Sequence, residues 1–138
     1  MAGVPKIGLY SETAAGQLTP YLIPQDYGNK TDVRWATLTN AAGTGWFVQG
    51  GEWLNLSVHE YSTDHLDRAW YPFQLQKDGR LRVNIDHRVS GVGGTPIKTL
   101  EKYRVKPGNY RFKIRLKPID LNGISPTILG REVWQVLH

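Results

Sequence analysis

Asp86 and His87 stand side by side at the end of the alternating run Leu81-Arg82-Val83-Asn84-Ile85-Asp86-His87, and they are the residues best suited to acid/base work. A histidine titrates near neutrality, so it can pass a proton to or from a hydroxyl. The plainer reading is a strand-end histidine hydrogen-bonded to its surroundings. His59, His65 and His138 have no HxH or HxxxH spacing, so neither a metal nor a cofactor is expected. Hydrolysis of a glycosidic bond needs two carboxylates roughly 5 to 10 Å apart, and no two of the twelve acids announce themselves as such a pair. No nucleophile elbow is present. Trp35, Trp46, Trp53 and Trp70 offer flat rings that can lie on the CH-rich face of a pyranose, although most of them are expected in the core.

The elements that must position these residues are strands. Asp32 to Thr39 alternates, with Val33, Trp35 and Thr37 on one face, and Trp35 is its large anchor. Asn40-Ala41-Ala42-Gly43-Thr44-Gly45 reads as a hairpin connection from which Trp46 to Gln49 returns antiparallel. After Gly50-Gly51 a separate strand runs from Leu54 to His59. Ser62 to Trp70 is the one expected helix, short, with a Ser or Thr cap and Asp64 in its first turn. A strand around Phe73 to Gln76, a turn through Asp78-Gly79 and the Leu81–His87 strand follow. In Tyr110 to Lys117 four apolar residues alternate with Arg111, Lys113, Arg115 and Lys117, which predicts a strand with a buried apolar face and a wet cationic one. The tail from Ile119 to His138 has no firm pattern, and its apolar residues are expected to dock.

The chain has 138 residues, the size of one domain, and no cysteine, so disulfides and thiolate sites are excluded. Fifteen Gly, eight Pro, five Trp and seven Tyr point to an all-β fold with many turns, an antiparallel β-sandwich with at most one short helix. A net charge of +5 raises the question of nucleic acid, but much of it lies along one alternating strand, where a solvated face explains it. Met1 to Tyr10 has no apolar core of a secretory signal and no run is long enough to span a membrane. The expectation is a soluble chain, cytoplasmic by default, with neither nucleic acid nor membrane as partner.

One glycine-rich loop and one polar turn remain, and the turn carries the strongest identity signal. Gly91-Val92-Gly93-Gly94-Thr95-Pro96 lets a backbone come close to a ligand, yet it lacks the Gly-Lys-Ser/Thr and the following helix of a phosphate loop. Pro24-Gln25-Asp26-Tyr27-Gly28-Asn29-Lys30-Thr31-Asp32-Val33-Arg34-Trp35 is a polar turn leading into a strand. Arg34 and Trp35 at its mouth read either as a ligand rim or as structure, with Asp32 and Arg34 paired beneath Trp35. This stretch resembles the Pro-Gln-Glu-x-Gly-Asn-Arg/Lys-x-Asp-Val-Arg-Trp signature of the C-terminal domain, or small chain (domain 5), of family 2 glycoside hydrolases of the LacZ β-galactosidase type. Pro20-Tyr21, Trp46-Phe47, Tyr61 to Leu66, Asn84-Ile85-Asp86, Gly91 to Gly94 and Pro107-Gly108-Asn109-Tyr110 continue it in register, so that it covers Lys6 to Pro118.

The resemblance implies a galactose-mutarotase-like sandwich or its C-terminal half, residues 1–118, with 119–138 as a tail. It implies a non-catalytic domain that packs over a separate catalytic barrel and lends the loop after Gly-x-Gly-Gly to the sugar site. Substrate contacts are accordingly expected at Gly93, Gly94, Thr95 and Lys98, with Arg34 and Trp35 added from the turn. The family loop typically carries a sugar-stacking Trp here, and Thr95 to Leu100 has none. The expected partners are a galactoside or other carbohydrate, the catalytic barrel domain or chain, and a second copy or partner over the apolar edges of a half-sandwich. Two alternatives stand beside this reading. A carbohydrate-binding module needs an exposed Trp35 or Trp53, and a small aldose mutarotase needs His87 to face Asp32 or Glu60 across a cleft.

Overall fold

The computed structural model describes residues 7–90 and 98–134. It is an all-β arrangement of four strands, β1 and β4 each antiparallel to β2, with two short α-helices, the second of them unforeseen in the tail: β1 Lys30–Thr39, β2 Thr44–His59, α1 Thr63–Arg68, β3 Arg82–Asp86, β4 Ile114–Asp120 and α2 Pro126–Leu129. The sheet order is β1-β2-β3, with β4 also pairing with β2. Packing divides the chain into two units, residues 7–29 with 57–84, and residues 30–56 with 85–134.

In the larger unit the connection after β1 closes as the sequence predicts. The Asn40 side-chain oxygen accepts from the backbone N–H groups of Ala42 and Thr44 and from the Thr44 hydroxyl, all at 3.0–3.1 Å. β2 then runs sixteen residues without stopping at Gly50-Gly51. The glycines bend the strand instead of ending it: a Cβ on Gly50 would lie 2.1 Å from the Glu52 carbonyl oxygen, so only glycine fits the bend. On β1 the ladder shifts register between Lys30 and Trp35, around Asp32 with its φ of 57°.

Pairing sets the core. Thr37, Phe47 and Lys117 lie opposite one another across β1, β2 and β4, as do Trp35, Gln49 and Arg115. Phe47 is fully buried with Ile119 and Leu129, and Trp35 packs on them with its ring 6.0 Å from that of Phe47. β4 crosses residue 118, and α2 beyond it supplies Leu129.

The cationic strand corrects the sequence reading. It begins at Ile114 instead of Tyr110, and its faces are exchanged: Leu116 is 56% exposed, whereas the Arg115 side chain is only 19% exposed. The register explains this, since Arg115 opposite Gln49 falls on the Phe47 side of the sheet. There its guanidinium sits 5.9 Å from the Phe47 ring and donates to Glu132 at 2.6 Å, so an aliphatic stem covers apolar surface while the charge is paired. The hydrogen bond from Arg115 holds the Glu132 carboxyl below its ordinary value of 4.5. A lowered carboxyl pKa stabilises the fold above the ordinary value and loses that contribution as pH falls through the lowered one. Glu132→Gln should therefore lower the melting temperature at pH 7, and the difference should begin to shrink as the pH falls below about 4.5 and vanish only once the pH has passed the lowered value. A pH-independent difference in thermal melts would count against the pairing.

In the smaller unit, Ser62 caps α1 by accepting from the His65 N–H at 3.2 Å, and Leu66 is its buried residue. The strand expected around Phe73 is a 3-10 turn, Pro72–Gln74, because Gln74 spends its side chain on the two N–H groups before Pro72. At the end of β2, Ser57, Val58 and His59 are all buried. Asn84 on β3 donates to the Ser57 hydroxyl at 3.0 Å.

Candidate functional site

His87 lies just past the end of β3, and its partner is not Asp86. Asp86 is exposed, and the His87 Nε2 stands 3.0 Å from a carboxylate oxygen of Glu52, thirty-five residues away on β2. The bend at Gly50-Gly51 precedes Glu52, and side chains alternate along the strand, so Glu52 and Trp53 leave β2 on opposite sides. Phe112 stacks on the His87 ring at 5.0 Å and 12°, and Tyr110 meets its edge at 6.1 Å. The Arg88 guanidinium lies 6.0 Å from the centre of the Tyr110 ring, whose hydroxyl donates to the Lys106 carbonyl at 2.5 Å.

This is a histidine oriented by one carboxylate and held between aromatic rings. Such a pair can move a proton or hydrogen-bond a hydroxyl. The pair supplies one carboxylate, and glycoside hydrolysis in its common form uses two. Sequence reasoning missed Glu52 because it sought the acid beside His87, at Asp86, or across a cleft, at Asp32 or Glu60, whereas the carboxylate that reaches His87 is Glu52. The only local signal was an acidic residue immediately after a double glycine.

The other predicted positions divide. Trp35 turns its ring into the core, where a Cβ on Gly130 would come within 2.3 Å of the indole, so the ring is committed to packing. Arg34 lies over the Trp53 ring, 5.8 Å from its centre, and among the described residues no ion pair joins it to Asp32. Trp53 itself is 60% exposed. Lys98 is exposed, and Gly93, Gly94, Thr95 and His138 lie outside the described residues. Glu60 holds Lys77 at 2.6 Å, which raises the pKa of the lysine through that bond, and His65 reaches the Gln76 carbonyl at 3.1 Å.

His59 is the most enclosed of the described histidines. Its Nε2 is 2.8 Å from the Tyr27 carbonyl and 3.2 Å from the Asp26 carboxylate, while Nδ1 faces the Asn84 amide at 3.5 Å. Tyr27 packs its ring 4.4 Å from the imidazole, and burial pushes its phenol pKa up. Gly28, next in the chain, has φ +70°, which lets the turn reverse here. The polar turn is thus built around His59. Among the described residues no group of three His, Cys, Asp or Glu could hold a metal, and no helix is long and apolar enough to cross a membrane.

The protein-family signature of the beta galactosidase small chain matches residues 4–116. A β-galactosidase of Priestia megaterium is 35% identical over 118 residues, covering 83% of this chain and 11% of its own length. The β-galactosidase BgaC of Bifidobacterium adolescentis is 36% identical over 92 residues, covering 64% of this chain and 9% of its own. A β-galactosidase of Photobacterium profundum is 28% identical over 116 residues, covering 82% and 11%. The chain therefore spans about a tenth of the length of these relatives, and the matched stretch contains the turn around His59, the Phe47 core strand and the His87–Glu52 pair. With more than three quarters of its residues inside that signature, the chain belongs to the β-galactosidase small-chain family.

Proposed function

We propose that this chain is the non-catalytic, sandwich-forming domain of a β-galactosidase-type glycoside hydrolase, acting with a larger catalytic polypeptide to shape the rim of its sugar site. What carries the reading is scale: the family match takes in most of this chain but only 11% of a β-galactosidase of Priestia megaterium. The chemistry agrees, because His87 and Glu52 give one oriented carboxylate where hydrolysis calls for two. On this reading Lys98, Arg34 and the Gly93-Gly94-Thr95 loop belong to the rim. The test is a β-galactoside hydrolysis assay on the purified chain, alone and mixed with the Priestia megaterium polypeptide lacking its matched segment. No turnover alone and turnover in the mixture is expected. Turnover by the chain alone would overturn the non-catalytic role.

Trp53 supports a second reading, in which the chain binds carbohydrate by itself. Its exposed ring, with the Arg34 guanidinium over it, suits a pyranose with hydroxyls at the rim. Saturable quenching of tryptophan fluorescence by galactose or lactose, lost in Trp53→Ala, would establish it. A flat titration would remove it.

A further inference from the structure

Trp70, Tyr71 and Phe73 stand 72%, 54% and 82% exposed, although they sit in one of the most firmly fastened turns of the molecule. The Gln74 side-chain oxygen accepts from the N–H groups of Trp70 at 2.8 Å and Tyr71 at 3.0 Å. The Gln74 N–H donates back to the Tyr71 carbonyl at 3.0 Å, and that of Leu75 to the Pro72 carbonyl at 3.1 Å. Pro72 fixes φ at the first position of the turn. Just before it the Ala69 N–H closes α1 on the His65 carbonyl, and the His65 ring returns to the Gln76 carbonyl just after it. The Tyr71 and Phe73 rings are held parallel, 5.5 Å apart and 7° from coplanar orientation.

A backbone ordered this fully around outward-facing rings is difficult to explain as folding alone. Aromatic side chains bury about 150–250 Å² each, so the exposed part of these three comes to roughly 400 Å². The largest apolar patch on a single chain is of this size and is often functional, and Trp and Tyr are enriched among the side chains that carry binding energy. A preformed knob also loses little conformational freedom on docking.

We infer that the Trp70–Tyr71–Phe73 knob is the contact by which this chain docks onto the larger β-galactosidase polypeptide, an inference that rests on the proposed function above. The choice of occupant follows from length: about nine-tenths of a relative such as the Priestia megaterium enzyme lies outside the stretch this chain matches, and that remainder is the surface available to cover the knob. Of the charges before the knob, Arg68 faces Asp64 at 3.7 Å.

The full chain is titrated into the Priestia megaterium polypeptide lacking its matched segment, and the dissociation constant is read by calorimetry for the wild type, Phe73→Ala, Trp70→Ala and, as the control, the exposed Leu116→Ala. The first two should bind on the order of thirtyfold or more weakly, with Leu116→Ala unchanged. Circular dichroism of the free variants should match the wild type, because the removed atoms are exposed. Wild-type affinity in Phe73→Ala and Trp70→Ala would overturn the knob as the contact while leaving the proposed function in place. No association by the wild type would overturn both. Lactose quenching that depends on Phe73, with association unaffected, would assign the knob to saccharide and overturn the docking role.

Discussion

Phe47→Ala is expected to cost the larger unit about 3–5 kcal/mol, the range for a large buried aromatic cut to alanine. Domain stabilities run to about 5–15 kcal/mol, so this one change removes a large part of the total. The reason is placement. Phe47 is fully buried on the central strand, with Lys117 and Thr37 opposite it on either side, and it touches the residues that make up the core. The Trp35 ring and the Arg115 guanidinium both rest on it, so its removal opens a cavity beneath a half-buried indole and a paired charge. Urea unfolding followed by tryptophan fluorescence checks this, with Leu116→Ala as the comparison. Leu116 is one residue from Arg115 on the same strand but faces outward, and its truncation should change stability by no more than about 0.5 kcal/mol. Equal losses in the two variants would mean that the core lies elsewhere.

That comparison also marks how far the sequence can be read. Alternation in Tyr110 to Lys117 announced a strand, and there is one; which face is buried was not in the alternation. It was decided by β2, whose Gln49 and Phe47 meet Arg115 and Lys117, and by Glu132, seventeen residues further on. Local chemistry was legible where it was complete in itself. Asn40 closes the hairpin from within the hairpin, and Ser62 caps its own helix. The same rule accounts for the misses. Gly50-Gly51 read as a stop because glycine pairs usually end strands, whereas here they supply a bend that packing against Leu54 requires. Pro126 after Ser125 has the chemistry of a helix start, yet four residues are too few to leave a periodic signature.

The candidate site follows the same division. His87 was legible as a candidate, because its type and strand-end position were on view. Glu52 was not, since the two meet only after β2 and β3 are in place. Trp35 was legible as an anchor and ambiguous as a ligand contact, and its contact with Gly130 commits the ring to the core. The family signature, by contrast, was visible as soon as Pro24 to Trp35 was read as one stretch. The physical cause of that stretch is long-range all the same.

His59→Ala is expected to be the most damaging change in the smaller unit, because it removes the group around which that stretch is folded. Nε2 has two acceptors, the Tyr27 carbonyl and the Asp26 carboxylate, so it carries a proton. Nδ1 then accepts from the Asn84 amide, which also donates to Ser57. One ring thus ties the turn to β2 and β3. Alanine would leave the Tyr27 carbonyl without this donor in a buried place and open a void beside the tyrosine ring. The two effects together should cost about 3 kcal/mol, or a fall of roughly 10 °C in melting temperature. His59→Leu separates them, since leucine refills much of the space but donates nothing. If hydrogen bonding governs, the leucine variant should remain well below the wild type, and His65→Ala, which loses one exposed bond to Gln76, should melt within a few degrees of it. A leucine variant as stable as the wild type would show that His59 serves only as volume, and the polar turn would then need another reason to hold its shape.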